Sequence, residues 1–87
     1  MKSSDKAYTL YILQCSDNTY YTGIAVDVEK RLIEHNTSDK GAKYTRSRRP
    51  VTLMYRETYS DKSSALKREL AIKKMKRSAK EALWSCG

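Results

Sequence analysis

The chain has 87 residues and a formal net charge of +8, with 18 lysines and arginines against 10 acidic residues. This length suits one small domain with a modest core, and the hydrophobic share of 39% is enough for a globular fold. No stretch approaches the roughly 20 apolar residues of a membrane-spanning helix. We therefore expect a single domain over residues 1–87, with its core at about 8–83 and no membrane partner.

The cysteine and histidine content limits which cellular compartment and which metal sites are plausible. Cys15 and Cys86 are the only cysteines, and His35 is the only histidine. A secreted disulfide scaffold carries more cysteines, and two thiols cannot make a zinc site without histidines. The first seven residues hold no apolar stretch like that of a signal peptide. We expect reduced cysteines, with Cys15 packed in the core, and a cytoplasmic protein.

Three segments predict strands. Residues 8–13 are apolar on both alternations, which indicates a strand covered on two faces. Residues 19–24 are rich in residues favoured on a pleated surface, and the turn signal at 16–18 joins the two into an antiparallel hairpin. Residues 51–57 predict a third strand. The fold class expected is α/β (α+β), a small three-stranded antiparallel sheet flanked by helices.

Two helices fit the remaining pattern. The first begins near Val28, and a loop at 36–49 follows it. The second is capped by Asp61 or Ser60 and runs to about residue 76. A short basic tail from Ser78 has room for one more helical turn.

The two predicted helices differ in the residues on their buried faces. On the first, Val28, Leu32 and His35 share one face, with Arg31 beside it. On the second, the apolar residues define the buried arc: Ala65, Leu66, Leu70 and Ile72. Glu69 falls inside that arc, where a carboxylate needs a partner or a metal ion. Two alternatives stay open for Glu69, an ion pair with Lys73 four residues on, or a metal site.

The positive charge is concentrated in two blocks. The first, at residues 40–49, holds five cations with no acid between them: Lys40, Lys43, Arg46, Arg48 and Arg49. The second, at 67–80, includes Lys73 and has only Glu69 as an acid. One interpretation is a solvated basic surface; the other is an electrostatic footprint for nucleic acid. A membrane surface fits less well, because the basic segments lack a broad apolar face with aromatic residues.

Five side chains make a set that can cut a phosphodiester. Tyr11, Tyr21, Arg31 and His35 follow one another at spacings of ten, ten and four residues, and Glu69 lies in the later helix. Each has an ordinary structural explanation by itself, as a core tyrosine, a solvated arginine, a structural histidine or an ion-paired glutamate. The phenols, guanidinium, imidazole and carboxylate together point to catalysis.

In their order along the chain these residues resemble the GIY-YIG nuclease domain. The triplets Thr9-Leu10-Tyr11 and Tyr21-Thr22-Gly23 match its two signature triplets at both tyrosines and at Gly23, while Thr9, Leu10 and Thr22 replace the usual residues. Arg31-Leu32-x-x-His35 and Glu69 match as well. The segment at 41–50 is similar to one typical of the small single-domain bacterial members, the UPF0213 group. The resemblance covers about residues 8–83.

The resemblance implies a phosphodiesterase that uses one divalent metal ion, Mg²⁺ or Mn²⁺, with nucleic acid, expected to be DNA, as its partner. It implies Tyr21 as the general base, Tyr11 as a hydrogen-bond partner of the phosphate or of the attacking water, Arg31 as a phosphate ligand and Glu69 as the metal ligand. A phenol has an ordinary pKa of about 10, so such a base needs cationic neighbours or the metal. Arg31 and His35 are expected to supply that positive field.

The function expected from these arguments is metal-dependent cleavage of phosphodiester bonds by an endonuclease with a tyrosine base. The alternative is a catalytically weak or inactive module that keeps the same fold and binds nucleic acid. The expected DNA-binding residues share a positive charge: Lys40, Lys43, Arg46, Arg48, Arg49 and Lys73.

Overall fold

The computed structural model describes residues 7–37 and 47–85. The elements in chain order are the strands and helices β1 (Tyr8–Gln14), β2 (Tyr20–Ala25), α1 (Val28–Thr37), β3 (Thr52–Tyr59), α2 (Lys62–Lys73) and α3 (Arg77–Ser85). The strands form one antiparallel sheet in the order β2-β1-β3. The predicted fold class, a three-stranded antiparallel sheet flanked by helices, is therefore confirmed.

The central strand β1 is covered on both faces, as its apolar sequence predicts. One face carries Tyr11 and Leu13, which pack with Val28 of α1. The other carries Leu10 and Ile12, which pack against Ile72 of α2 and residues of α3. Leu10, Ile12 and Leu13 have no exposed surface. Alternating side chains of one strand thus supply both cores, and α1 lies on one side of the sheet while α2 and α3 lie on the other.

The tight turn between β1 and β2 is stabilised by its own polar groups. Asn18 has a φ of 69°, in the left-handed region that asparagine tolerates better than most residues. The amide of Cys15 donates to the Thr19 carbonyl at 2.8 Å, and the Asp17 carboxylate accepts from the Thr19 hydroxyl at 2.6 Å. Cys15 itself is buried as a free thiol in the core, as predicted.

The second predicted helix has its cap where the sequence indicates, but its buried face differs from the prediction. Asp61 is the N-cap and accepts from the amide of Ser64 at 2.8 Å. Leu66 and Leu70, expected in the core, are 42% and 59% exposed. Ala65 and Ile72 are buried as predicted.

An ion pair explains how α2 is rotated about its axis. Arg68 reaches Glu57 of β3, with Nε 3.0 Å from Oε1 and Nη2 3.1 Å from Oε2. The same carboxylate accepts from the hydroxyls of Tyr55 and Tyr59. Because Arg68 must face β3 to make these contacts, and Ile72 faces the sheet as well, Leu66 and Leu70 lie on the outward side of α2.

The C-terminal segment forms a longer helix than the sequence predicts. The prediction was a short tail with room for one helical turn, but the structure has a nine-residue helix, α3. Its Trp84 packs edge-to-face on Tyr20 with ring centroids 5.2 Å apart, and Glu81 accepts from the Tyr20 hydroxyl at 2.7 Å. The correction follows from these contacts, because a short helix gains most of its stability from tertiary packing.

The loop predicted at 36–49 begins later, since Asn36 and Thr37 belong to α1. Most of that loop lies outside the described residues. Within the described part of the chain, no helix has the length and apolar character needed to cross a membrane.

Candidate active site

The antiparallel register of β1 and β2 sets Gly23 directly opposite Tyr11. A Cβ atom at position 23 would lie 2.6 Å from the Tyr11 hydroxyl oxygen and 3.0 Å from Cε2 of Tyr21. The distance to the Tyr11 oxygen is shorter than a Cβ atom tolerates, and the distance to Tyr21 would require its ring to shift. Glycine is therefore required because two tyrosine rings occupy the space beside this strand.

Helix α1 brings an imidazole to the same place. The Tyr11 hydroxyl lies 2.9 Å from Nε2 of His35, and both side chains are buried. The ring centroid of Tyr21 is 5.3 Å from that of His35 and 6.4 Å from that of Tyr11. The structure thus assembles three of the residues predicted for the site into one aromatic cluster, in which Tyr21 is the partly exposed member.

Arg31 completes the cluster from the preceding turn of α1. Its guanidinium hydrogen-bonds the Tyr11 hydroxyl. Its Nη1 also donates to Oε1 of Glu34 at 2.9 Å. Because the Arg31 side chain is 31% exposed, it spans from the buried hydroxyl to solvent.

His35 is uncharged at neutral pH. Burial lowers its pKa from the ordinary 6.5 to about 4. The positive charge of Arg31 contributes to this lowering of the His35 pKa, and the Glu34 carboxylate opposes it. This corrects the expectation that His35 supplies positive field to a phenol, because a desolvated imidazole beside a guanidinium does not hold a proton near pH 7. Arg31 is the cation of the cluster.

Tyr11 keeps its proton. Burial raises its pKa to about 12, and Tyr21 adds to the shift while the Arg31 hydrogen bond opposes it. Arg31 can only donate, so the Tyr11 oxygen accepts from it. A neutral His35 accepts at Nε2, and the Tyr11 hydroxyl hydrogen is then donated there. Tyr11 is therefore a neutral phenol that is hydrogen-bonded to Arg31 and His35.

Glu69 approaches from α2, on the other side of the sheet. Its side chain is 16% exposed, and Oε2 lies 3.2 Å from Nζ of Lys73. The ion pair left open by the sequence therefore forms. Glu69 also raises the pKa of Tyr11, although less than burial does, so the carboxylate acts on the cluster electrostatically.

The donor set suits one kind of metal ion. No group of three or more His, Cys, Asp or Glu side chains converges within residues 7–37 and 47–85. A single partly exposed carboxylate fits Mg²⁺, which takes one or two protein carboxylates and keeps several waters and substrate phosphates as ligands. It does not fit zinc, which requires three or four protein ligands.

Two of the predicted DNA-binding arginines make contacts inside the protein. Nε of Arg48 lies 3.0 Å from Oδ2 of Asp17, and Nε of Arg49 donates to the His35 carbonyl at 2.5 Å. These bonds attach residues 48–49 to the β1–β2 turn and to α1. The other predicted residues of this block, Lys40, Lys43 and Arg46, lie outside the described residues. Lys73 is half-exposed and paired with Glu69.

Two residues not predicted from the sequence, Glu34 and Asn36, hold parts of α1 in place. Glu34 lies three residues after Arg31, a spacing that signals a helical ion pair. The side chain of Asn36 accepts from the Val51 amide at 2.7 Å and donates to the Val51 carbonyl at 3.2 Å. No sequence signal points to the Asn36 contacts, because they join residues 15 positions apart.

Comparisons with known proteins identify the family of this chain. The family model described as "GIY-YIG catalytic domain" matches residues 7–82. A UPF0213 protein of Desulfotalea psychrophila is 56% identical over 77 residues, which make up 88% of this chain and 70% of that protein. A UPF0213 protein of Staphylococcus saprophyticus is 53% identical over 83 residues, 95% of this chain and 99% of that protein.

Solved structures are similar as well. The solution NMR structure of a UPF0213 protein from Bacillus halodurans has a TM-score of 0.59 and 40% identity, and the match covers 92% of this chain and 84% of that one. A protein from E. faecalis has a TM-score of 0.62 and 44% identity over 87% of this chain and 80% of that one. With a domain match over most of its length and relatives more than half identical, the chain belongs to the GIY-YIG family of nuclease domains, in its UPF0213 group.

Proposed function

We propose that the chain is a divalent-metal-dependent endonuclease that cleaves phosphodiester bonds in DNA, with Tyr21 as the general base. One observation carries the proposal, the difference between the two tyrosines of the cluster. The Tyr11 hydroxyl is buried and engaged by both His35 and Arg31, whereas Tyr21 is partly exposed beside them. Of the two phenols, only that of Tyr21 can meet an attacking water from solvent.

The remaining groups have separate tasks in this mechanism. A phenol acts as a base in its deprotonated form, which nearby positive charge favours. Arg31 supplies that charge, and its exposed part can grip phosphate oxygens in a bidentate fork. Tyr11 holds the Arg31 guanidinium through the hydrogen bond between them. His35 holds the Tyr11 hydroxyl, so the guanidinium is oriented before substrate arrives.

Glu69 would hold the metal ion, Mg²⁺ or Mn²⁺. When bound, such an ion stabilises the charge that develops on the leaving 3′ oxygen. Lys73 neutralises the Glu69 carboxylate in the free protein. We infer that Lys73 turns to a substrate phosphate when the metal ion binds, which would couple metal binding to substrate binding.

The positive charge supports DNA as the partner. Phosphate contacts by Lys40, Lys43 and Arg46 remain part of the proposal. For Arg48 and Arg49 we propose a mixed role, in which their bonds to Asp17 and the His35 carbonyl fix the backbone beside the cluster. The buried free thiol of Cys15 supports, as part of the same proposal, a reducing cytoplasmic setting.

A second candidate function is a nucleic-acid-binding module with little or no turnover. The ion pair between Glu69 and Lys73 favours it, because a neutralised single carboxylate is a weak metal ligand until substrate phosphate is present. The two candidates differ in catalysis and share the binding surface.

The deciding experiment is single-turnover cleavage of single-stranded, duplex, flapped and branched DNA with Mg²⁺ and with Mn²⁺. Tyr21→Phe should lower the rate by roughly 10²–10⁴-fold, the usual contribution of a general base. Tyr20→Phe is the matched control, since the adjacent hydroxyl bonds Glu81 on the opposite side of the sheet, and it should keep the rate. Equal rates for wild type and Tyr21→Phe, or no cleavage of any substrate by wild type, would favour the binding module.

A further inference from the structure

The outward face of α2 carries a row of side chains at four-residue intervals: Lys62, Leu66, Leu70 and Lys74. Leu66 is 42% exposed and Leu70 is 59% exposed, and both lysines are exposed as well. Side chains four apart on a helix are neighbours, so the leucines form one continuous apolar strip with a cation at each end. A single exposed leucine is ordinary on a protein surface, but an adjacent pair within a lysine-rich face is a candidate contact surface.

This α2 row adjoins the candidate active site. Glu69 and Lys73 flank it on one side, and the exposed Lys67 flanks it on the other. In residues 7–37 and 47–85, no hydrogen bond or ion pair engages the side-chain ammonium group of Lys62, Lys67 or Lys74. The row spans about 18 Å at 1.5 Å per residue. A ligand along it would thus reach three uncommitted cations and end beside Glu69.

The charge and shape of the row select its partner. A second copy of the chain would bring lysines against lysines, which repel. A helix with its side chains is about 10–12 Å across, close to the width of about 12 Å of the major groove of B-DNA. The major groove of duplex RNA is too deep and narrow for side chains to read. Duplex DNA therefore complements both the cations and the apolar strip between them.

We propose that the α2 row is a docking surface that lies in the major groove of duplex DNA. Lys62, Lys67 and Lys74 contact phosphates that border the groove, and Leu66 and Leu70 contact base edges such as thymine methyl groups. The inference rests on the proposed nuclease function and adds to it the form of the substrate. It also explains why α2 presents leucines to solvent beside the carboxylate that faces the site.

The test is the affinity of the full chain for a short fluorescent DNA duplex, measured by anisotropy in EDTA over a range of salt concentrations. Leu66→Ala/Leu70→Ala should weaken duplex binding by about tenfold, the scale of two lost apolar contacts. The triple change of Lys62, Lys67 and Lys74 to Gln should lower the slope of log K against log salt by about 2 to 3.

Matched controls come from residues outside α2. Val26→Ala/Ile33→Ala removes apolar groups of similar exposure, 52% and 62%, and should leave duplex affinity unchanged. Lys30→Gln/Lys80→Gln removes two charges and should lower the salt slope by less than the triple change does.

The outcomes separate this inference from the proposed function. Wild type that binds no nucleic acid would overturn both. Wild type that binds and cleaves DNA, with α2 variants no different from the controls, would overturn the docking surface alone. An equal loss on single-stranded and duplex DNA would overturn the groove geometry. Loss of binding to phosphatidylserine vesicles with DNA affinity intact would assign the row to a membrane surface instead.

Discussion

Tyr11 and His35 share a buried hydrogen bond, 2.9 Å from hydroxyl oxygen to Nε2, that joins the central strand to the first helix. The bond fixes one phenol as a donor and leaves the other, Tyr21, as the partly exposed phenol of the cluster. A contact between two residues 24 positions apart thus engages one phenol of the cluster and not the other.

Removing the Tyr11 hydroxyl should cost stability and only part of the activity. Tyr11→Phe leaves Nε2 of the buried His35 without its donor, and an unsatisfied buried polar group costs about 1–3 kcal/mol. Urea denaturation should show that loss, while single-turnover cleavage should fall less than in Tyr21→Phe. Tyr8→Phe, earlier on the same strand, is the control and should be near neutral. If cleavage by Tyr11→Phe falls below that by Tyr21→Phe, Tyr11 is the base and our assignment is reversed.

The metal role that we propose for Glu69 can be separated from its ion pair by substitution. Glu69→Gln keeps the shape and removes the charge, so Mg²⁺-dependent cleavage should be lost while DNA binding in EDTA stays nearly unchanged. Lys73→Gln leaves the carboxylate without its neutralising partner, and cleavage should then reach half of its maximum at a lower Mg²⁺ concentration. Persistent cleavage by Glu69→Gln would make Glu69 a structural partner of Lys73 only.

The neutral state of His35 predicts how stability depends on pH. Its pKa is about 4 in the folded protein and near 6.5 when unfolded, so the unfolded chain takes up a proton first as the pH falls. The stabilisation is full above about pH 6.5, declines between 6.5 and 4, and changes little further below that range. Thermal denaturation across pH 4–7.5 should show this decline in wild type, and His35→Gln should reduce it. In an NMR titration the imidazole should stay neutral, with its proton on Nδ1, down to about pH 5.

Thr22 predicts a stabilising substitution. Its side chain is buried, and its hydroxyl oxygen has no hydrogen-bond partner among the described residues. Thr22→Val keeps the shape and removes the unpaired hydroxyl, so the free energy of unfolding should rise by about 1 kcal/mol. Thr58→Val, at an exposed position of β3, serves as the control and should change stability little. A destabilised Thr22→Val would mean that the hydroxyl has a partner that the structure does not record.

The sequence was sufficient for the sheet, the first helix and the cap at Asp61, because local patterns encode them. The apolar run of β1 directly indicates a strand covered on two faces. The rotation of α2 could not be predicted in this way. Hydrophobicity alone assigned Leu66 and Leu70 to the core, but the long-range ion pair of Arg68 with Glu57 turns them outward.

For the candidate site as well, some features were predicted from the sequence and others depend on tertiary contacts. The positions of the tyrosines, Arg31 and His35 along the chain matched those of a known family. That resemblance, and not the spacing alone, supplied the expectation that these side chains act together. The charge of His35 was predicted incorrectly, because protonation depends on burial and on the neighbouring Arg31, neither of which spacing reveals. Helix α3 was underestimated for a related reason, since its stability comes from Trp84 packing on distant Tyr20.

The two bonds between Asn36 and Val51 have a consequence for how this protein can diversify. A side-chain amide that meets both the N–H and the C=O of Val51 imitates a neighbouring strand and fixes the distance between the end of α1 and the start of β3. Apart from Arg48 and Arg49, which bond Asp17 and the His35 carbonyl, the intervening segment can then change in length or sequence without moving His35. Each doubling of a loop adds only about 0.6 kcal/mol of closure entropy. Variation in this segment would therefore leave the arrangement of Tyr11, Tyr21 and His35 unchanged.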